Sequence, residues 1–151
     1  MATYYLMVGI PGSGKSTYAV SLGCRVVCPD AIREKRRWEP DDNRAFPIAM
    51  RQIVAELRAG RDVVFDATNT RRQFRVANIA AGRPYADRVA CVWMDTPSMV
   101  CMWRNLERGR QGGCRVPPDV MDRMARELAD NPPELSEGFD EIRRITSEGG
   151  E

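Results

Sequence analysis

The chain has 151 residues, 43% hydrophobic and 29% charged, with a formal net charge of +2. That length suits one domain with its own core, and the charge is too small to mark a nucleic-acid binder by totals alone. Histidine is absent, which excludes Ser-His-Asp and Cys-His catalysis and every His-ligated zinc site, leaving carboxylates as the available general bases.

Residues 4–8 are a short apolar, aromatic-rich run that breaks at Gly9, the pattern of a buried strand. Residues 15–22 support a helix stopped by Gly23. Residues 25–28 form a second strand run ended by Pro29, and a charged helix follows over 31–38. Beyond the turn cluster at 39–43, Ile48, Ile53, Val54 and Leu57 recur at helical spacing until Gly60. A third strand is predicted at 62–66. The next helix spans 71–81, with Phe74, Ala77, Asn78 and Ala81 near one face and Thr70 as its N-cap. Residues 88–95 are a fourth strand, and Pro97 opens a helix running to about Arg108. Glycines and prolines then break the chain over 109–118. A helix over 118–129, a loop and a last strand at 142–146 complete the pattern, with 147–151 expected to be a disordered tail.

The cysteines, Cys24, Cys28, Cys91, Cys101 and Cys114, are odd in number and scattered through apolar runs. They read as small buried hydrophobes in a reducing compartment, and Cys24 and Cys28 lack a second pair at zinc-ribbon spacing. The N-terminal run is too short for a secretory signal, and no apolar run reaches membrane-spanning length. A cytoplasmic protein with no membrane partner is expected.

Strands alternating with helices predict an α/β fold, a mainly parallel sheet flanked by helices, and the Gly9–Ser16 match to G-x-x-x-x-G-K-[ST] makes it one of P-loop NTPase type. Ligands of such sheets collect at the carboxyl ends of the strands. Gly9, Asp30, Asp66 and Asp95 each fall at or just past a predicted strand end.

Gly9-Ile10-Pro11-Gly12-Ser13-Gly14-Lys15-Ser16 matches G-x-x-x-x-G-K-[ST] between a strand and a helix. Backbone N–H groups around Gly12, Ser13 and Gly14, with the helix N-terminus at Lys15, Ser16 and Thr17, form an anion nest for a nucleoside triphosphate, ATP or another NTP. Lys15 is expected to reach the β- and γ-phosphates and the Ser16 hydroxyl to ligate Mg²⁺. Asp66, at the end of an apolar strand, is the candidate second metal-shell residue. Asp95 reads as structural, beside the capping pair Thr96-Pro97.

Asp30, at the tip of the second strand, is the candidate general base for a hydroxyl acceptor. Arg33 lies three residues on, placed either to bind an acceptor phosphate or to form a surface ion pair with Asp30. Arg104 and Arg108 share a helix face before the glycine-rich break, and residues 104–118 read as a closing arginine-rich lid. Arg108 would reach the transferring phosphoryl group and Arg104 would stack on the nucleobase.

The segments GIPGSGKST, CPDAIR, DATNT, RN…RG…VP and EGFDEI, in this order, resemble the P-loop polynucleotide 5′-hydroxyl kinase family of phages and bacteria, over roughly residues 4–146. The resemblance implies a kinase domain at 1–146 that moves the γ-phosphate of an NTP to a 5′-OH end of DNA or RNA. On that model Asp30 activates the 5′-OH and Arg33 holds the 3′-phosphate of the terminal nucleotide. Lys15 and Arg108 clamp the donor phosphates, and Ser16 with Asp66 positions Mg²⁺. Thr68 and Asn69 match the family's Thr-Asn and read physically as polar rim groups. Some members carry a 3′-phosphatase domain, which is not expected here because FDATNT lacks its Asp-x-Asp pair. A phage-encoded member would work in the host cytoplasm. Arg33, Lys35, Arg36, Arg37 and Arg44, and separately Arg71, Arg72 and Arg75, are local excesses of positive charge for a nucleic-acid strand, with Trp38 available to stack on a base. The competing readings are a P-loop kinase of a small hydroxyl compound (a sugar acid, nucleoside or antibiotic) and a non-catalytic NTP-binding switch. Nothing in the pattern selects an NTP, DNA over RNA, or an oligomeric state.

Overall fold

The apolar runs become five strands of one sheet, in the order β2-β3-β1-β4-β5, every pair parallel. A computed structural model describes residues 2–113 and 115–146. The strands are β1 Thr3–Val8, β2 Arg25–Val27, β3 Val63–Phe65, β4 Arg88–Asp95 and β5 Glu141–Thr146. Central β1 is in register with Phe65 of β3 at Leu6 and with Trp93 of β4 at Val8. Strands covered on both faces need apolar side chains pointing both ways, and all three residues of β3 are accordingly buried.

The helices are α1 Lys15–Ser21, α2 Pro29–Arg36, α3 Ala45–Arg58, α4 Arg72–Gly82, α5 Ser98–Arg110 and α6 Pro118–Asp130. Ala49, Ile53 and Leu57 of α3 and Ile79 of α4 pack on one face of the sheet with Tyr4, Leu6, Val8 and Phe65. Ala19 of α1 packs with Met7, Val64 and Val92. Cys101 of α5 and Met121 of α6 close a third cluster around Ile10, the residue that opens the glycine-rich loop. Among the described residues no helix is long and apolar enough to cross a membrane.

Several expectations need correction. The second helix begins at Pro29, whose fixed φ suits the first helical position, and this brings Asp30 inside the first turn. Pro97 is the N-cap of α5, which starts at Ser98. Thr70 does not cap α4: the cap position is Arg71, and the Thr70 hydroxyl instead donates to Glu127 Oε1 at 2.9 Å. The inward face of α4 is Arg75, Ile79 and Gly82, whereas Phe74 is 49% exposed. Arginine is ordinarily counted as an outward residue; here a carboxylate and two backbone carbonyls meet Arg75 inside, which offsets the cost of burying its charge. Cys91 and Cys101 are buried and Cys24 and Cys28 half-buried. Burial pushes the Cys91 thiol up to about 12, so it is an inert core group. The expectations for Cys114 and for 147–151 lie outside the described residues.

Candidate functional site

The chain leaves β1 toward β2 on one side, returns through β3, and crosses β1 to reach β4 on the other. The reversal places the carboxyl ends of β1, β3 and β4 together, where open α/β sheets bind ligands. The loop after β1 is shaped by Gly12 and Gly14, at φ +84° and +95°. These left-handed angles favour glycine. A side chain at Gly12 would also put its Cβ 2.6 Å from the Cys101 carbonyl oxygen. Neighbouring elements anchor the loop. Gly9 N–H donates to the Thr68 carbonyl at 3.0 Å, and the Thr96 hydroxyl donates to the Ser13 carbonyl at 2.9 Å.

Ser13 is 2% exposed and its Oγ has no hydrogen-bond partner among the described residues. The hydroxyl lies against Gly9, where a side chain's Cβ would come within 2.5 Å of it, so Gly9 leaves the room that Ser13 occupies beneath the loop. Lys15 Nζ donates to the Ile10 carbonyl at 3.1 Å, spanning the loop it serves. Burial lowers the Lys15 pKa, opposed first by the charge of Asp66 and then by that of Asp30. Ser16 Oγ donates to Asp66 Oδ2 at 2.8 Å. Asp66 is 5% exposed and its N–H donates to the Val27 carbonyl at 2.9 Å, so β2 and β3 both hold the acid in place. Hydroxyl and carboxylate are hard oxygen ligands of the type Mg²⁺ takes. Among the described residues no three Cys, Asp or Glu side chains cluster as a metal cage; a cation here would draw its other ligands from phosphate and water. Thr17 is exposed on the first turn of α1.

Asp30, in the first turn of α2 after β2, has its side chain 84% exposed, while Arg33 is 9% exposed and donates from Nη1 to Asp30 Oδ1 at 2.7 Å. Arg33 also donates from Nε to the Asp42 carbonyl at 2.9 Å and lies over the Phe46 ring. Most of the guanidinium is thereby committed to fixing Asp30 and the α2–α3 connection. The ion pair that the i,i+3 spacing allows is present.

On α5, Arg104 donates from Nη1 to the Gly12 carbonyl at 3.1 Å, and Arg108 is exposed on the following turn. Between them Asn105 is 3% exposed. It donates from Nδ2 to the Val116 carbonyl at 2.7 Å and accepts from the Val116 N–H at 2.9 Å. This two-bond clasp ties both ends of the glycine-rich segment together. Asp95 pairs with Arg144, Nε to Oδ2 at 2.8 Å, a structural bond between β4 and β5.

The second basic cluster is not a free surface. Arg75 is fully buried, paired to both oxygens of Glu137 at 2.7 and 2.8 Å and bonded to the Asn69 and Asn131 carbonyls. Arg71 pairs with Glu127 at 2.7 Å and Arg72 with Glu134 at 2.9 Å. Burial tends to raise the Glu127 pKa, but bonds from Arg71 and Thr70 more than offset it, and the carboxyl lies below its ordinary value. In the first cluster Arg44 pairs with Asp42 at 2.7 Å and stacks on Trp38 at 4.1 Å, with Arg36 at 5.2 Å. Arginines therefore already cover Trp38.

Three residues gain a positioning role that their place in the sequence did not suggest: Thr96, Asn105 and Asn69. Asn69 sits at φ +48°, donates from Nδ2 to the Met7 carbonyl at 2.9 Å and accepts from Asn78. It stitches the end of β3 to β1 just before the glycine-rich loop. An asparagine tolerates left-handed backbone, which is the one local signal the sequence offers.

Solved structures show the same fold at low identity. A kinase candidate from Chloroflexus aurantiacus aligns with TM-score 0.72 and 16% identity over 96% of this chain and 85% of that one. A chain of the Pnkp1/Rnl/Hen1 complex aligns with TM-score 0.63 and 23% identity over 68% of this chain and 38% of its own. A gluconokinase from Sinorhizobium meliloti gives 0.59 and 18%, over 95% and 82%. Transcription factor bHLH140 of Arabidopsis thaliana is 31% identical over 152 aligned residues, covering 91% of this chain. The chain spans 15% of the length of that relative. Residues 5–130 match the model of the AAA domain family, and with its phosphate loop at the head of a five-stranded parallel sheet, in a kinase-like P-loop fold, the chain belongs to that family.

Proposed function

We propose that the protein transfers the γ-phosphate of an NTP to the 5′-hydroxyl of a DNA or RNA end. The observation that supports phosphoryl transfer to a hydroxyl is a donor cradle together with an acceptor carboxylate, Asp30, which is exposed and held by Arg33 at 2.7 Å; the choice of a nucleic-acid end rests on the resemblance of the sequence segments to the polynucleotide kinases. In the reaction the acceptor oxygen forms its bond to Pγ as the bond from Pγ to the β,γ-bridging oxygen breaks. The hydroxyl proton passes to the Asp30 carboxylate and the nucleoside diphosphate departs. Lys15 and the loop N–H groups neutralise charge on the donor phosphates. Mg²⁺ at Ser16 and Asp66 would supply further neutralisation there. Arg108, brought in by the 104–118 segment, acts on the transferring group, and closure excludes water that would otherwise be phosphorylated.

One observation favours a second reading, a small hydroxyl compound as acceptor: Arg71, Arg72 and Arg75 are spent on internal carboxylates. Incubation with γ-labelled ATP, Mg²⁺, a 5′-OH oligonucleotide and a panel of small hydroxyl compounds separates the two. Label on the oligonucleotide is expected; label only on a small compound would replace the first reading by the second.

A further inference from the structure

The carbonyl and the following N–H of a planar trans peptide point in opposite directions. A donor that holds one carbonyl of the phosphate loop therefore also aims the next N–H. Two side chains do this to consecutive peptides: Arg104 Nη1 holds the Gly12 carbonyl at 3.1 Å, and the Thr96 hydroxyl holds the Ser13 carbonyl at 2.9 Å. The first fixes the Ser13 N–H, which donates to the Ile10 carbonyl at 3.1 Å. That same carbonyl accepts from Lys15 Nζ, also at 3.1 Å. A line of hydrogen bonds thus runs from Arg104, through one peptide, to the oxygen that holds the phosphate lysine. The second fixes the Gly14 N–H at the entrance to α1. Both donors come from one unit, since Thr96 follows β4 and Arg104 lies on α5. The backbone of α5 meets the loop as well: a Cβ at Gly12 would lie 2.6 Å from the Cys101 carbonyl oxygen, and a Cβ at Gly14 would lie 4.0 Å from Arg104 Nη1.

We infer that Thr96 and Arg104 are positioning residues of the donor site, a two-point clamp that holds the phosphate loop and its lysine in their anion-binding shape. Gly12 and Gly14 give the free loop many conformations, and ordering them on binding would weaken the donor's hold. The clamp orders them beforehand. It acts on the triphosphate, whatever base the donor carries, so Arg104 belongs to the loop and not to the nucleobase on which its place in the sequence would set it. The inference rests on the donor half of the reading above and is independent of the acceptor.

The test measures affinity by calorimetry, without acceptor and with Mg²⁺, for ATP, CTP and inorganic triphosphate. The proteins are the wild type, Thr96→Val, Arg104→Ala and the double variant, with Arg51→Ala as a control that removes an exposed cation on α3. Each single variant should weaken all three ligands by one common factor, on the order of tenfold. Both side chains act on one loop, so the double variant should lose less than the product of the single losses. Thr96→Ser keeps the hydroxyl and should keep the affinity, and Arg51→Ala should bind as the wild type does. The Arg104 side chain is exposed, so Arg104→Ala should melt near the wild-type temperature without ligand, and it carries the test even if Thr96→Val does not fold. Loss of ATP and CTP with triphosphate untouched would place Arg104 on the base and overturn the inference. Multiplicative losses in the double variant, an equal loss in the control, or no triphosphate binding by the wild type would overturn it too. Triphosphate binding that needs the clamp, in a protein that phosphorylates no acceptor, leaves the clamp standing and removes the kinase reading.

Discussion

Lys15 carries a desolvated ammonium whose nearest charges are carboxylates it does not touch, and among the described residues its one bond is to a carbonyl of its own loop. Its pKa is lowered in the folded state, so between that value and the ordinary one the unfolded chain binds more protons. Stability therefore rises with pH across that window, and below it the charged lysine is a cost to the unliganded fold. Lys15→Met keeps the stem and removes the charge. The variant should be at least as stable as wild type at neutral pH by thermal melting, yet show no shift in Tm with ATP. A clear loss of stability without ligand would mean that the ammonium supports the fold, against the sign of its shift. Asp30 presents the opposite case. Its own side chain is 84% exposed, but its partner Arg33 is 9% exposed and has no other carboxylate within 4 Å among the described residues, so the charge of Asp30 also supports the fold. Asp30→Asn keeps an oxygen that accepts from Arg33 and should lower Tm slightly while lowering kcat by about 10²–10⁴-fold. Near-normal turnover would remove the general-base role.

At the scale of elements, two buried polar contacts hold the site's supports, and both can be broken singly. Asn105→Ala strands the N–H and carbonyl of Val116 and should cost about 1–3 kcal/mol. It should also expose the segment between α5 and α6 to trypsin, read by urea titration and by the cleavage rate at Arg110 or Arg115. Unchanged cleavage would show that the clasp does not govern that segment. Glu137→Ala leaves the fully buried Arg75 uncompensated and should cost about 3–5 kcal/mol. These contacts also mark the limit of what can be read from sequence. The phosphate loop is legible because its chemistry is local: glycines, lysine and serine adjoin in the chain. Residues 137–142 are visible only as a string in the right order. Their roles need partners far away: Glu137 binds Arg75, Gly138 at φ +121° packs on Ile79, and Asp140 accepts from the Val89 N–H at 2.8 Å. Hydrophobic periodicity likewise misplaces the inward face of α4, because it cannot credit an arginine whose carboxylate lies 62 residues on. The same blindness makes Arg71, Arg72 and Arg75 look like a free basic surface.

For the whole molecule, the sheet order gathers the residues of the proposed site from separate elements. β1 delivers the phosphate loop, β2 leads to Asp30 and β3 ends at Asp66, while α5 crosses above with Arg104. Ligand binding should therefore draw on the global fold, stabilising the native state by mass action. An NTP at a hundred times its Kd contributes about 2.7 kcal/mol, which for a domain of this size is roughly 5–10 °C in Tm. Part of that shift should require Mg²⁺. Ser16 and Asp66 already share a hydrogen bond of 2.8 Å; these two oxygens would hold a divalent cation, which would add positive charge beside the donor phosphates. The expected result is a larger ATP-induced shift with Mg²⁺ than with EDTA in the wild type. In Asp66→Asn the two conditions should converge, because the amide carries no charge for the ion, while the Mg²⁺-independent share through Lys15 and the loop N–H groups persists. A Mg²⁺-dependent difference that survives in Asp66→Asn would place the cation on other ligands. The loss of both shares together would mean instead that Asp66 acts by holding the loop, through Ser16, in its binding shape.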